Sequence, residues 1–100
     1  MKKENDTFKI TFNELKRTFN DRVEYYNSEG FLHRENDLPA RIYENGTKSW
    51  WINGKRHREN GPAVIDAYGQ MWWFLNDVKI EEKNYEDELI KLKLKRLIEK

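Results

Sequence analysis

The sequence has no cysteine, only two prolines and no long apolar run. Without cysteine there is no disulfide framework, no thiol nucleophile and no thiolate metal site. No segment approaches the roughly 18–20 apolar residues that a membrane span needs, and the first residues lack the apolar stretch of a secretory signal. We therefore expect a cytoplasmic protein of a reducing compartment.

An excess of charge of one sign is also missing, since 19 basic and 18 acidic residues leave a net charge of +1. A DNA mimic would be strongly acidic and a general nucleic-acid coat strongly basic, so the balance argues against both. Aromatic side chains, by contrast, are plentiful at 14%. With 100 residues, this composition predicts one domain, residues 1–100, that packs few but large side chains.

The middle of the chain contains an internal repeat. The motif His-Arg-Glu-Asn occurs twice, 24 residues apart, and further matches follow at a spacing of 23. The matched pairs are His33–Asn36 with His57–Asn60, Pro39 with Pro62, Gly46 with Gly69, Trp50 with Trp73, and Asn53 with Asn76. A repeat at such a period predicts that each unit is one supersecondary structure stacked on the next.

Each unit reads as β structure. Short runs of aromatic and β-branched residues alternate with pairs such as Asn-Gly, which is the strongest short signal for a hairpin turn. The predicted strands are residues 22–27, 39–43, 47–52, 55–58, 62–66 and 70–76. Tight turns between consecutive strands predict an antiparallel meander of five to six strands over residues 23–80.

The run from Trp51 to Ala63 reads Trp-Ile-Asn-Gly-Lys-Arg-His-Arg-Glu-Asn-Gly-Pro-Ala. It resembles a MORN-like variant repeat of the W-x-N-G-K-x-H-R-E-x-G-P-A type, found in small phage and bacterial proteins. The first copy departs from this pattern, because Asp37-Leu38 replaces the glycine before Pro39. The resemblance implies a β-meander that serves as a scaffold for protein or lipid contact, with no chemistry of its own.

The N-terminal flank, residues 1–22, carries a capping-box pattern at Thr11–Glu14. Phe12, Leu15 and Phe19 then share one helical face, which predicts a short helix over residues 12–20. The alternation of Phe8, Ile10 and Phe12 favours a strand before it.

The C-terminal flank, residues 81–100, predicts a helix with Asn84 as its N-cap, because acidic residues precede basic ones along it. Its apolar residues form two stripes on roughly opposite sides, and alternation over residues 89–95 leaves a strand as the alternative. One stripe contains Tyr85, Leu89 and Leu92, and the other contains Ile90, Leu94, Leu97 and Ile98. Two stripes indicate contact on two sides, and the second stripe is a candidate self-association surface.

Candidate catalytic residues are scarce, and we expect no enzyme activity, no metal site and no cofactor. His33 and His57 are the only histidines, and two histidines fall short of the ligands that zinc normally takes. Their recurrence favours a structural role, in which each histidine bonds a turn or packs on a tryptophan. The Arg-Glu pairs that follow each histidine are expected to form cross-strand ion pairs.

The aromatic strands are the best candidates for binding. Alternation along a strand places Trp50 and Ile52 on one face with Trp73 and Leu75. The opposite face then carries three aromatic anchors and two cations at their rim. The anchors are Trp51, Trp72 and Phe74, and the rim residues are Arg56 and Arg58. Either the two terminal helices cover both faces, or one face is exposed for a partner.

The fold class is therefore predicted as α+β: an antiparallel β-meander of MORN-like repeats with a short N-terminal and a C-terminal helix. The expected function is non-catalytic protein binding. The resemblance and the small size favour a phage-encoded inhibitor of a host enzyme or defence complex, anti-CRISPR-like, that acts by steric contact. Two alternatives stay open: a self-assembling homodimer, and nucleic-acid binding through the basic and aromatic segment 41–58.

Overall fold

The computed structural model describes residues 7–11, as backbone only, and residues 14–99. In this part of the chain an antiparallel β structure of ten strands is followed by one α-helix. The elements are β1 Thr7–Thr11, β2 Glu14–Thr18, β3 Arg22–Tyr26, β4 Arg41–Tyr43, β5 Lys48–Ser49, β6 Trp51–Ile52, β7 Lys55–Arg56, β8 Val64–Ile65, β9 Met71–Leu75, β10 Val78–Ile80 and α1 Glu82–Ile98. The predicted α+β class is confirmed at this level.

Eight strands form one sheet in the order β1-β2-β3-β4-β5-β8-β9-β10, while β6 and β7 form a separate hairpin. The hairpin leaves the sheet because the chain is irregular at Trp50, between β5 and β6. Asn53 and Gly54 make the two-residue turn of this hairpin, with φ of 51° and 80°. Positive φ at both positions is what a type I′ turn requires, so the Asn-Gly prediction is confirmed here.

The predicted helix over residues 12–20 is wrong. Residues 14–18 form β2, which pairs with strands on both sides, and residues 12 and 13 lie outside the described residues. Leu15 lies opposite Tyr26 and Arg17 opposite Glu24. A helix here would leave the β3 edge without a partner, so hydrogen bonding across the sheet outweighs a local helical pattern. The strand favoured around Phe8 and Ile10 is confirmed as β1.

Equivalent residues of the two repeat units make equivalent backbone hydrogen bonds. The N–H of Ala40 donates to Ser49 and that of Ala63 donates to Trp72, both over 2.9 Å. In each unit a histidine N–H donates to the carbonyl of an aromatic residue earlier in the chain, Tyr25 for His33 and Trp50 for His57. The distances are 3.0 Å from His33 to Tyr25 and 3.1 Å from His57 to Trp50. The two sequence units are therefore two copies of one local structure.

Two hydrophobic clusters lie on opposite sides of β9. Phe74 joins Trp50 and Ala63, with Trp72 packed against them. Leu75 joins Tyr85 and Leu89 of α1, with Trp73 packed against them. The predicted alternation along β9 is confirmed. The predicted grouping of Trp50 with Trp73 and Leu75 is wrong, because Trp50 lies in the irregular segment between two strands and packs on Phe74 instead.

The C-terminal helix is confirmed over the alternative of a strand, but it begins earlier than predicted. Glu81 is the N-cap residue, and the N–H of Asn84 donates to its carbonyl over 2.9 Å. Asn84 therefore lies inside the first turn and is not the cap. The Leu89 stripe is buried against the sheet, as the packing of Tyr85 and Leu89 on Leu75 shows.

The molecule is flat, with principal extents of 48 × 36 × 17 Å. Its radius of gyration is 15.0 Å, whereas a 100-residue domain typically has about 13 Å. Among the strands, α1 contacts mainly β9.

Candidate interaction surfaces

The side chain of each histidine accepts a hydrogen bond from a turn of the following unit. The N–H of Asn53 donates to Nδ1 of His33 over 3.0 Å, and that of Asn76 donates to Nδ1 of His57 over 2.9 Å. Because Nδ1 accepts a hydrogen bond, the proton of the neutral ring lies on Nε2. Nε2 of His57 is 2.6 Å from the Glu59 carboxylate, and Nε2 of His33 contacts Glu35 in the same way. The predicted structural role for both histidines thus matches their geometry.

The arginine after each histidine stacks on an aromatic ring. The guanidinium of Arg58 lies 3.8 Å from the ring centre of Trp50, and that of Arg34 lies 3.7 Å from the ring centre of Tyr25. Arg58 also donates to both carboxylate oxygens of Asp37, over 2.9 and 3.2 Å. Both arginines form ion pairs with residues distant in sequence, Arg58 with Asp37 and Arg34 with Glu14, but neither arginine lies in a strand, so the predicted cross-strand geometry is not found.

The two repeats border a cleft of about 290 Å³, whose lining includes Arg34, Asp37 and Arg58. All three side chains already have ion-pair partners, which leaves the cleft with little unsatisfied charge. Among the described residues, no group of three or more His, Asp or Glu is arranged to hold a metal ion.

Glu59 ties the second repeat to the C-terminal helix. Its carboxylate accepts from Arg96 over 3.0 Å and makes a second, shorter contact with the same guanidinium. Arg96, assisted by His57, outweighs the effect of burial and lowers the pKa of Glu59 to about 2. Tyr85 adds a further tie, because its hydroxyl donates to the carbonyl of Arg58 over 2.7 Å. These contacts fix how α1 lies against the sheet.

The sheet face opposite α1 collects most of the predicted partner-binding residues. The Trp51 indole N–H donates to Ser49 Oγ over 2.7 Å, and its ring lies 6.0 Å from the guanidinium of Arg56. Arg56 also covers the ring of Phe74 at 4.3 Å. Trp72 alternates with Trp73 along β9 and so faces the same side as Phe74. The structure therefore brings Trp51, Arg56, Trp72 and Phe74 together on one face.

Two residues of the predicted site are less accessible than expected. Phe74 is only 7% exposed and belongs to the hydrophobic core. The Arg58 side chain is 17% exposed and is occupied by Trp50 and Asp37. Both support the surface from below and do not stand at its rim. The accessible part of this face is formed by half-buried Trp51, Trp72 and Arg56.

Sequence reasoning missed a buried carboxylate on the same face. Glu24 is 4% exposed and accepts from Arg22 over 2.9 Å, from Arg41 over 2.8 Å and from the Tyr26 hydroxyl. Burial alone would raise the pKa of Glu24, but these three donors outweigh it and lower the pKa. Burial and the neighbouring carboxylate raise the pKa of Tyr26 to about 12. The signal in the sequence is the alternation Arg-x-Glu-x-Tyr over residues 22–26.

The second stripe of α1 is the most exposed apolar surface among the described residues of the helix. Ile90 and Leu94 are each 53% exposed, Leu97 is 66% exposed and Ile98 is 82% exposed. They lie on the side of the helix away from the buried Tyr85 and Leu89. The predicted division of the helix into a sheet-facing stripe and an outward stripe is confirmed.

Comparison with protein-family models, with curated proteins and with solved structures gives no match. Within the described residues, no helix is both long and apolar enough to cross a membrane.

Proposed function

We propose that this chain is a non-catalytic protein-binding module. The observation that carries the proposal is the sheet face opposite α1, where half-buried Trp51 and Trp72 lie with Arg56, whose guanidinium covers the ring of Phe74 at 4.3 Å. Partly exposed tryptophans beside an arginine are typical of a protein-binding surface.

The face opposite α1 is the proposed contact surface, with Trp51 and Trp72 as anchors and Arg56 at the edge. Tryptophan and arginine dominate the energetics of protein interfaces because they combine large contact areas with polar ends. The face is pre-organised, since Ser49 fixes the Trp51 indole and Asp77 holds Arg56 over 2.6 Å. Rigid side chains lose little conformational entropy when a partner binds.

The MORN-like resemblance and the small size support a narrower proposal. In it, the chain is a phage-encoded protein that blocks a host enzyme or defence complex by steric contact, in the manner of an anti-CRISPR protein. Balanced charge fits this mode of action better than imitation of DNA, which would require a strongly acidic surface.

Nucleic-acid binding through residues 41–58 is less well supported than protein binding, because intramolecular ion pairs engage the cations of this segment. Arg41 pairs with Glu24, Arg56 with Asp77 and Arg58 with Asp37, so three of its cations are already neutralised. The register places Arg41 opposite Ser49 and Ile42 opposite Lys48, which puts Arg41 and Lys48 on different faces of the sheet. A phosphate backbone would need cations that converge on one face.

Affinity capture from a bacterial lysate tests the proposal. The tagged chain is run beside Trp51→Ala and beside Tyr68→Ala, a control at a highly exposed turn residue. We expect one protein captured at about equal amount with the wild type and with Tyr68→Ala, and lost with Trp51→Ala, while circular dichroism shows all three chains folded. Capture of nucleic acid alone, or of no protein by any chain, would overturn the proposal.

A further inference from the structure

The outward stripe of α1 has the spacing of a coiled-coil seam. Ile90, Leu94 and Leu97 follow one another at intervals of four and three residues, which are the intervals between core positions of a heptad. Together with Ile98 they extend about 12 Å along the helix. The helix is fixed by the Glu59–Arg96 pair and by packing of Tyr85 on Trp73, with ring centres 4.6 Å apart. The stripe is therefore held outward on a rigid support.

Lysines border this seam on both sides. Lys91 occupies the flanking position next to Ile90, and Lys93 occupies the opposite flank next to Leu94. These are the e and g positions of the heptad, whose charges determine which partner helix binds. Lys91 contacts Glu88 on its own helix over 3.2 Å, whereas Lys93 makes no ion pair with any residue that the structure describes. The apolar seam thus carries an exposed basic rim.

A second copy of the chain fits this seam poorly. In an antiparallel pair centred on Leu94, Lys93 would lie within about 3 Å, along the axis, of the same lysine in the other copy. In a parallel pair Glu86 would reach Lys91, but Asp87 would meet its own copy in the core of the seam. Like charges meet in both arrangements, which disfavours self-association.

An anionic membrane also fits poorly. The outward face of the N-terminal half of α1 carries Glu86 and Asp87, which a continuous anionic surface would repel, whereas a partner helix can carry its acidic residues opposite Lys91 and Lys93 alone. The seam also lacks the Trp or Phe side chains that interfacial helices commonly insert.

We propose that the outward stripe of α1 binds an amphipathic helix of a partner protein, one with acidic residues flanking its apolar seam. The inference rests on the proposed protein-binding function and names the class of partner segment that α1 recognises. Carboxylates on such a helix would pair with Lys91 and Lys93, while its leucines would cover Ile90, Leu94 and Leu97.

The test is the binding of two synthetic peptides of about 21 residues, or three heptads, long enough to form a helix when bound. Both carry Leu at the seam positions and differ only at the flanking positions opposite Lys91 and Lys93, which are Glu in one peptide and Lys in the other. Fluorescence anisotropy measures their binding to the wild type, to Lys91→Glu/Lys93→Glu, to Leu94→Glu, and to the charge control Lys48→Glu/Lys55→Glu, whose residues are exposed strand lysines.

We expect the wild type and the charge control to prefer the Glu peptide by about tenfold or more. The Lys91→Glu/Lys93→Glu chain should prefer the Lys peptide, and Leu94→Glu should bind neither. Equal binding of both peptides, or no binding of the Glu peptide, would overturn the inference. So would a dimer in light scattering that Leu94→Glu dissociates, or Leu94-dependent binding to phosphatidylcholine–phosphatidylserine vesicles.

The peptide assay is independent of the lysate capture. If the Glu peptide fails while a protein is captured through Trp51, the inference about α1 fails and the protein-binding function stands. If both assays are negative, the function itself fails.

Discussion

The Glu59 carboxylate receives the guanidinium of Arg96 from the C-terminal helix and the imidazole of His57 from its own repeat. This single side chain therefore couples the β repeat to α1. The helix has few other polar ties to the repeat, so the strength of this pair determines how firmly α1 is held at its C-terminal end.

The pH dependence of unfolding should reveal this pair. In the folded state the pKa of Glu59 falls from its ordinary value of 4.5 to about 2. A lowered folded pKa stabilises the fold above the unfolded pKa, and the contribution is lost as the pH falls from about 5 towards 2. With partial solvent screening we expect about 1–2 kcal/mol. The measurement is urea unfolding of the wild type and Glu59→Gln at pH 6 and at pH 2.5. A stability difference that is the same at both pH values would contradict the assignment.

Glu24 should be the carboxylate with the largest effect on stability in the N-terminal half of the sheet. Glu24→Gln leaves Arg22 and Arg41 without their buried counter-charge. We expect a loss of about 2–3 kcal/mol, less than for a fully buried pair because both arginines are partly exposed. Thermal unfolding beside the exposed control Glu44→Gln, which should change stability by less than about 0.5 kcal/mol, checks this. Equal melting temperatures for the two variants would be evidence against a stabilising network.

His57 should be needed for stability and not for metal binding. His57→Ala leaves the Asn76 N–H without its acceptor, which costs about 1–3 kcal/mol when the group is buried. His33→Ala should cost less, because His57 is buried whereas His33 is only half-buried. Denaturant unfolding of both variants measures the difference. Nitrogen NMR of the imidazoles should show the proton on Nε2, and zinc should leave the melting temperature unchanged. A zinc-dependent rise would point to a metal site instead.

Substitution of Phe74 should lower the stability of the fold, whereas substitution of Trp51 should impair binding and leave the fold intact. Phe74→Ala removes a buried ring from the cluster with Trp50 and Ala63, and a cost of about 3–5 kcal/mol is expected for such a cavity. Trp51→Ala removes a half-buried ring and should leave the chain folded. Circular dichroism during thermal unfolding tells the two apart. If Phe74→Ala melts like the wild type, the core lies elsewhere.

The repeat region could be predicted closely because its signals are local. Asn53-Gly54 determines a tight turn whatever surrounds it, and the recurrence of His-Arg-Glu shows which residues take equivalent places. The alternation of Trp72 and Phe74 with Trp73 and Leu75 was enough to assign opposite faces of β9. The helix stripes followed from spacing in the same way.

The remaining features depend on neighbours that are distant in sequence. Leu15 and Phe19 have helical spacing, but residues 14–18 form a strand because they hydrogen-bond to the edge of β3. The irregular backbone at Trp50 moves its ring to the side of Phe74, which simple alternation cannot foresee. Asp37 becomes the partner of Arg58 across 21 residues, although Glu59 is adjacent in the chain. The strand at residues 14–18, the position of the Trp50 ring and the ion-pair partner of Arg58 therefore depend on the assembled sheet and not on the local sequence pattern.

Because each histidine bonds the turn of the unit that follows, every unit presents both an acceptor and a donor for its neighbours. The array is therefore open to growth by duplication. An extra copy of about one unit inserted between the two would find hydrogen-bond partners on both sides without requiring a new hydrophobic core, as in other repeat architectures. Adding units would lengthen the sheet and leave α1 packed on the last unit. The length of the sheet can therefore change in evolution without a change in the helix.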